Sequence, residues 1–383
     1  MISLAGRDIL HSWGKFVFTG FGLGLLIGVT LVMAGVYRGM VEDGKALLDN
    51  SGADLWVVQK DTLGPYAESS GINDDLYRTI LAMPGIDAAA NVTYLTMQVQ
   101  RGKEDVRAMV VGIAPGESWL TPGWPRHLVA GRQITRSHYE AVADITTRFQ
   151  PGDEITIRRN RYTVVGLTRR MVSSSGDPMV FIPLKDAQQA QFLKDNDAIW
   201  QNRRRTAANP ASSHSVNAIL VRLAQGSDAA DVATSIRRWK HLTVHTRAQM
   251  EAILIGKLIA TSSRQIGMFL VILSVVRAAI VAFIIYTLTM DKIREIAVLK
   301  LIGTRNRTIA AMILQQALAL GTIGFAVGKI SATWAAPLFP KYVLLIPQDS
   351  VTGFLAVMVI CSLASVIAIR MALAVDPAEA IGG

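Results

Sequence analysis

The sequence predicts an α+β membrane protein: four transmembrane helices, one and then three, with a large mixed α/β extracytoplasmic domain between helices 1 and 2. Three observations predict it. A helix needs about 20 apolar residues to span hydrocarbon, and four windows qualify: Phe16–Tyr37, Ile266–Met290, Thr308–Trp334 and Val351–Ala374. Between the first two windows lies a long stretch of short strand and helix patterns. Basic residues crowd one of the short loops. Composition agrees. Of 383 residues, 51% are hydrophobic and 18% charged, too apolar for a disordered chain. The 29 acidic and 39 basic residues are too many for a fully embedded bundle. The single cysteine, Cys361, excludes an intrachain disulfide and a zinc cluster.

The first window carries no charge and is longer than the apolar run of a cleaved signal peptide, so it is expected to be retained. Gly20, Gly24 and Gly28 recur at four-residue spacing, which lets two helix backbones approach closely. The second window holds Arg277 near its centre, the third Lys329 and the fourth Arg370, both near the far end. A central arginine costs several kcal/mol unless it faces protein or water. An acidic or backbone acceptor, or a lipid headgroup, is the expected partner of Arg277.

The loop between windows two and three contains Lys292, Arg294, Lys300, Arg305 and Arg307, whereas the next loop has only Lys341. The positive-inside rule puts the former loop and both termini in the cytoplasm, and the large domain outside. Residues 42–264 contain 27 basic and 23 acidic residues. They carry only +4 of the net +10, so the basic balance reads largely as topology and not as nucleic-acid binding.

Within the outer domain, Asp54–Gln59 reads as a strand and Asn73–Met83 as a helix ended by Pro84-Gly85. Val92–Gln100 and Arg107–Ile113 read as strands turning at residues 101–104. Asp153–Arg158 and Tyr162–Leu167 flank turn residues 159–161, and Pro178–Pro183 is a further strand. Gln188–Pro210 reads as a polar, Arg-rich stretch, either a mobile insertion or a helix plus loop. Val216–Leu223, Asp228–Lys240 and Leu242–Thr246 complete a strand–helix–strand unit. A β-α-β-β unit therefore opens the domain and a β-α-β unit closes it, with a second subdomain inserted between.

No catalytic constellation is expected. Gly324–Ser331 resembles a phosphate loop but has the wrong spacing and lies inside an apolar helix. His241 and His245 lie on a strand pattern, about 13 Å apart. Ser173-Ser174-Ser175-Gly176 lacks the strand–turn–helix context of a nucleophile elbow.

The segment Asp291–Gly303 follows window two as an amphipathic stalk. Ile293, Ile296, Ala297, the Lys300 stem and Leu301 share a face, Gly303 is placed for a left-handed C-cap, and Thr304 for the cap of a short basic helix.

Arg294–Gly303 resembles the "REIAxLKxIG" signature of the MacB/FtsX-like ABC transporter permeases. Asp376–Ile381 is similar to their terminal "xPxEAI/L" motif. Val129–Ile134, Pro151–Ile155, Tyr162–Gly166 and Val180–Leu184 match their outer-domain stretches in order. The DevC-like subfamily is the nearest resemblance.

This resemblance implies a mechanotransmission permease without a catalytic site, cofactor or metal of its own. ATP and Mg would be bound by a partner. The implied assembly is a homodimer with two copies of a cytoplasmic ABC ATPase in a bacterial inner membrane, with a periplasmic membrane-fusion adaptor and an outer-membrane channel as further candidates. Membrane lipids are the remaining contact. Arg294, Glu295, Lys300, Gly303, Thr304, Arg305, Arg307, Pro377 and Glu379 would couple to the ATPase, with residues 304–309 as a coupling helix. Gly20, Gly24 and Gly28 would line the dimer seam. The implied divisions are 1–40, 41–114 and 213–262 (two halves of a porter-like subdomain), 115–212 (the insertion) and 263–383. The expected function is ATP-driven export or extraction of a peptide, lipid, lipoprotein or small molecule. The alternatives are an FtsX-like transducer regulating a periplasmic hydrolase and a membrane sensor lacking an ATPase.

Overall fold

In this computed structural model, residues 13–68, 70–115, 121–192, 214–239, 241–339 and 341–374 are described. In chain order the elements are α1 (Trp13–Ser51), β1 (Leu55–Gln59), β2 (Ile72–Asn73), α2 (Leu76–Leu81), β3 (Ile86–Arg101), β4 (Glu104–Ile113), β5 (Leu128–Gly131) and β6 (Glu140–Asp144). There follow β7 (Glu154–Ile157), β8 (Asn160–Thr168), β9 (Met179–Pro183), α3 (Leu184–Phe192), β10 (Ser215–Val216), β11 (Ala218–Leu223), α4 (Ala229–Arg237) and β12 (Leu242–Thr246). The chain continues through α5 (Arg247–Ile253), α6 (Ala260–Asp291), α7 (Ile293–Leu301), α8 (Asn306–Ala335) and α9 (Pro347–Ala374). It forms two compact units: residues 40–261, and residues 1–39 with 262–383.

The outer unit is built on one long strand. β3 pairs with β11 over its first half and with β4 from Thr93 to Arg101. The order β12-β1-β11-β3-β4-β9-β6-β8-β5 runs through it. The opening and closing units expected from the sequence interleave here: β1 lies between β11 and β12, antiparallel to both. Leu55, Val57, Ile219, Val221 and Val244 point to one face and pack with Ile80 of α2 and Ile236 of α4. Trp56, Val58, Val92, Leu220 and Phe181 fill the other face. This two-sided burial explains why β1 and β11 are nearly continuous apolar runs.

Several elements differ from expectation. β3 begins at Ile86, six residues before its alternating pattern, because Ala88–Ala90 pair with β11 despite the low strand preference of alanine. In the β7–β8 hairpin Ile157 lies opposite Asn160, so the turn is Arg158-Arg159 and not residues 159–161. Arg158 takes the left-handed conformation that so short a turn demands (φ 60°). Strands β5 and β6 had no sequence signal. Most of the Arg-rich stretch lies outside the described residues; its start forms the end of α3.

The "VxGRxI" motif is explained by packing. Arg132 makes a bidentate pair with buried Glu140 (2.5 and 3.1 Å), whose Oε2 also accepts from the backbone N–H groups of Thr135 and Arg136. Gly131, at φ 75°, lies where a Cβ would strike the Val165 carbonyl oxygen. The Arg132 guanidinium, aided by the two N–H groups, lowers the Glu140 pKa from 4.5 to about 2 against the cost of burial.

Among the described residues, four helices are long and apolar enough to cross a membrane: Val17–Ser51, Arg247–Asp291, Asn306–Leu338 and Pro347–Ala374. In that membrane unit Gly20, Gly24 and Gly28 face α8 of the same chain. A Cβ on Gly24 would lie 2.7 Å from Val327 and 2.9 Å from the Gly324 carbonyl oxygen, and one on Gly28 would meet Ser331 and, at 3.1 Å, the Gly328 carbonyl oxygen. Reciprocally, a Cβ on Gly328 would lie 2.7 Å from the Gly24 carbonyl oxygen. Hence Gly324 and Gly328, the phosphate-loop lookalike, are the other half of a two-sided glycine seam. Within the protomer the stripe therefore serves helix packing. The reason is steric: only glycine lets these two backbones touch. Gly321 continues the packing toward Cys361 of α9.

Two outcomes are expected. Gly24→Val lowers thermal stability in detergent markedly, because the added branch meets backbone, while Gly22→Val, with open space around it, leaves it unchanged. Glu140→Gln destabilises the outer unit by about 2 kcal/mol at pH 7. Because the folded pKa is depressed, the wild-type contribution is complete above pH 4.5 and lost as the pH falls toward 2. Thermal unfolding at pH 7 and pH 3 is expected to show the two proteins converging in acid.

Candidate coupling site

The sequence signature Arg294–Gly303 forms α7 and its turn. Helix α6 ends at Asp291, and Lys292 departs from helical geometry (φ −105°, ψ 11°) before α7 begins. The stalk is therefore two helices joined at one residue, not one continuous rod. The joint stays tight because the Ile296 N–H donates to the Lys292 carbonyl at 3.0 Å.

Gly303 closes α7 as expected. Its φ is 90°. Its N–H donates to the Lys300 carbonyl and the Thr304 N–H to the Leu299 carbonyl, both at 3.0 Å. These paired bonds define a Schellman cap. Thr304 does not cap the next helix: Arg305 occupies that position without a side-chain bond. Nor is there a separate coupling helix. Residues 306–309 are the first turn of α8, which runs unbroken to Ala335.

The two faces of α7 are unequal. Ile296 and Ala297 are buried, and the Lys300 Nζ donates to the Leu373 carbonyl of α9 at 2.8 Å. That bond satisfies one of the last carbonyls of α9 with a cation, the favourable charge for a helix C-terminus. Leu301, expected on the packed face, is instead 64% exposed, beside Ile302 at 77% and the exposed Val298. Arg294, Glu295, Arg305 and Arg307 are also exposed around them. An apolar knob with a mainly basic rim results, C-terminal to the apolar window of α6. Neither its exposure nor its composition could be read from helical spacing alone. Pro377 and Glu379 lie outside the described residues.

Arg277 is 6% exposed, on the α6 face that also buries Val281, Ile285 and Thr289. Cys361 is near enough to interact with it electrostatically, but its Nε has no hydrogen-bond partner. The expected protein acceptor is absent among the described residues. Those residues also hold no cluster of three or more His, Cys, Asp or Glu suited to a metal.

A model of the MacB-like periplasmic core domain matches residues 17–239, and one of the FtsX-like permease C-terminal region matches residues 267–377. The chain belongs to the MacB/FtsX-like ABC transporter permeases. Its relatives include an uncharacterised ABC transporter permease of Mycobacterium tuberculosis, 26% identical over 384 residues and all of both chains. A second, from Mycobacterium bovis, is 25% identical over the full length of both. A protein of Staphylococcus haemolyticus named as a hemin transport system permease is 23% identical over 100% of this chain and 99% of its own. The periplasmic region of MacB from Actinobacillus actinomycetemcomitans is 12% identical, with a TM-score of 0.36 over 53% of this chain and 94% of that one. This permease is a membrane protein with an extracytoplasmic core domain, and its full-length relatives are themselves named as permeases.

A buried cation without an acceptor is costly. Arg277→Leu is expected to raise the stability of the permease in detergent by about 2 kcal/mol, read as an increase in unfolding temperature. A decrease would show that the guanidinium is neutralised by a group outside the chain.

Proposed function

We propose that this permease converts the movement of a separate cytoplasmic ABC ATPase into movement of its outer unit. The observation that carries the proposal is the knob of Val298, Leu301 and Ile302 with Arg294, Arg305 and Arg307 around it. Large apolar side chains so exposed beyond a membrane window mark a surface that a partner covers. The buried side of α7 holds the knob to the bundle through Ile296, Ala297 and the Lys300 bond, so a push on the knob is felt by α9.

In this reading two copies of the chain sit in the inner membrane of a bacterium with both termini in the cytoplasm. Each copy engages one ATPase subunit, which supplies the ATP and Mg site; the permease needs no cofactor. Arg294, Glu295, Lys300, Gly303, Thr304, Arg305 and Arg307 form the coupling region, with Pro377 and Glu379 at the C-terminal tail as a second contact. The outer units act on a peptide, lipid, lipoprotein or small molecule. The hemin transport name of one relative supports the last class. Cargo then passes to a periplasmic adaptor and an outer-membrane channel.

Replacing Leu301 and Ile302 together by aspartate tests the proposal. Both are exposed, so the folded permease is expected to keep its unfolding temperature. Co-purification with the ATPase is expected to fall at least about tenfold, the effect of losing roughly 1.4 kcal/mol from an interface. Full retention of the ATPase by the doubly substituted permease would reject the knob as the contact.

A further inference from the structure

The outer unit contains an interrupted sheet edge. β3 is hydrogen-bonded to β4 along one side from Thr93 to Arg101. Along its other side it pairs with β11 as far as Val92 and with β7 only at Val99 and Gln100. Residues 94–98 lie between these two partners.

The direction of the backbone groups in this gap follows from the register. The Met109 N–H of β4 donates to the Pro178 carbonyl, on the side away from β3. Thr96, opposite Met109, is therefore in a non-hydrogen-bonded pair, and its own N–H and C=O point away from β4. Alternation gives Tyr94 and Gln98 the same direction. At Ala90 and Val92 the groups of this parity meet β11, and at Gln100 they meet β7. At Tyr94, Thr96 and Gln98 they meet no backbone partner among the described residues. Three donor–acceptor pairs thus stand in a row, about 6.7 Å apart.

The gap is also a groove of about 400 Å³, lined by Thr96, Met97, Gln98, Gln100, Thr156 and Arg158. Thr96, Gln98 and Gln100 are exposed. Its only charged lining residue is Arg158, exposed at the tip of the β7–β8 turn.

We propose that this gap is a strand-addition site for an extended segment, about five residues long, of an extracytoplasmic partner protein, with an acidic side chain at the Arg158 end. The backbone groups supply the strand pairing. The flanking β11 and β7, both antiparallel to β3, set the length, and Arg158 sets the charge. The inference goes beyond the coupling function and does not depend on the ATPase.

The test uses the full chain in detergent and a fluorescein-labelled hexapeptide, blocked at both termini, with aspartate at each end and alternating threonine and valine between. Fluorescence anisotropy is expected to show saturable binding. N-methylation of alternate peptide amides, which removes strand hydrogen bonds, is expected to weaken it about tenfold. Thr96→Pro removes a donor facing the groove and spares the ladder to β4, with the same result. Arg158→Ala, a surface change, is expected to weaken the aspartate peptide several-fold and leave an asparagine peptide unaffected. Equal binding of methylated and unmethylated peptides, or no saturable binding at 1 mM peptide, would overturn the proposal.

Discussion

A polypeptide inside hydrocarbon has to satisfy its own backbone hydrogen bonds, and the membrane unit follows from that constraint. Helices meet it alone, but they gain no hydrophobic drive to associate, because lipid is as apolar as leucine. Association then depends on how closely backbones approach. Here glycine faces glycine: Gly24 and Gly28 on α1 lie against Gly324 and Gly328 on α8. The same physics makes Arg277 conspicuous, as a buried guanidinium whose Nε finds no acceptor.

Elsewhere backbone satisfaction takes other forms. At the end of α7 the Schellman turn at Gly303 bonds the final carbonyls, beside the exposed Leu301 and Ile302. In the outer unit β3 shares its bonds among β11, β4 and β7, and its side chains enter three hydrophobic clusters. Exposed apolar residues at the stalk and unpaired backbone groups on β3 are surfaces suited to contacts with other chains.

Much of this was legible beforehand. The four windows need only length and apolarity, and the β-α-β-β and β-α-β units were readable from alternation and turn residues. The Gly303 cap was equally clear, since few residues other than glycine accept φ near 90°. What escaped shares a cause: it depends on contacts far apart in sequence. The α8 glycines that face the Gly20–Gly24–Gly28 stripe lie about 300 residues away, so four-residue spacing shows a packing face but not which helix meets it. Ala88–Ala90 become strand only because β11 lies beside them. β5 and β6 are too short to show a period. The break at Lys292 and the exposure of Leu301 were hidden because helical spacing gives faces but not what covers them.

The central claim is that events at the stalk move the outer unit. A spin label at Lys103, exposed at the tip of the β3–β4 hairpin, reports that movement in the proposed assembly of two permease copies with their ATPase. Electron–electron double resonance without nucleotide and with ATP trapped on a hydrolysis-deficient ATPase gives the distance distribution in each state. The account predicts two distinct distributions. A single distribution, unchanged by trapped ATP in a complex that binds nucleotide normally, would contradict it.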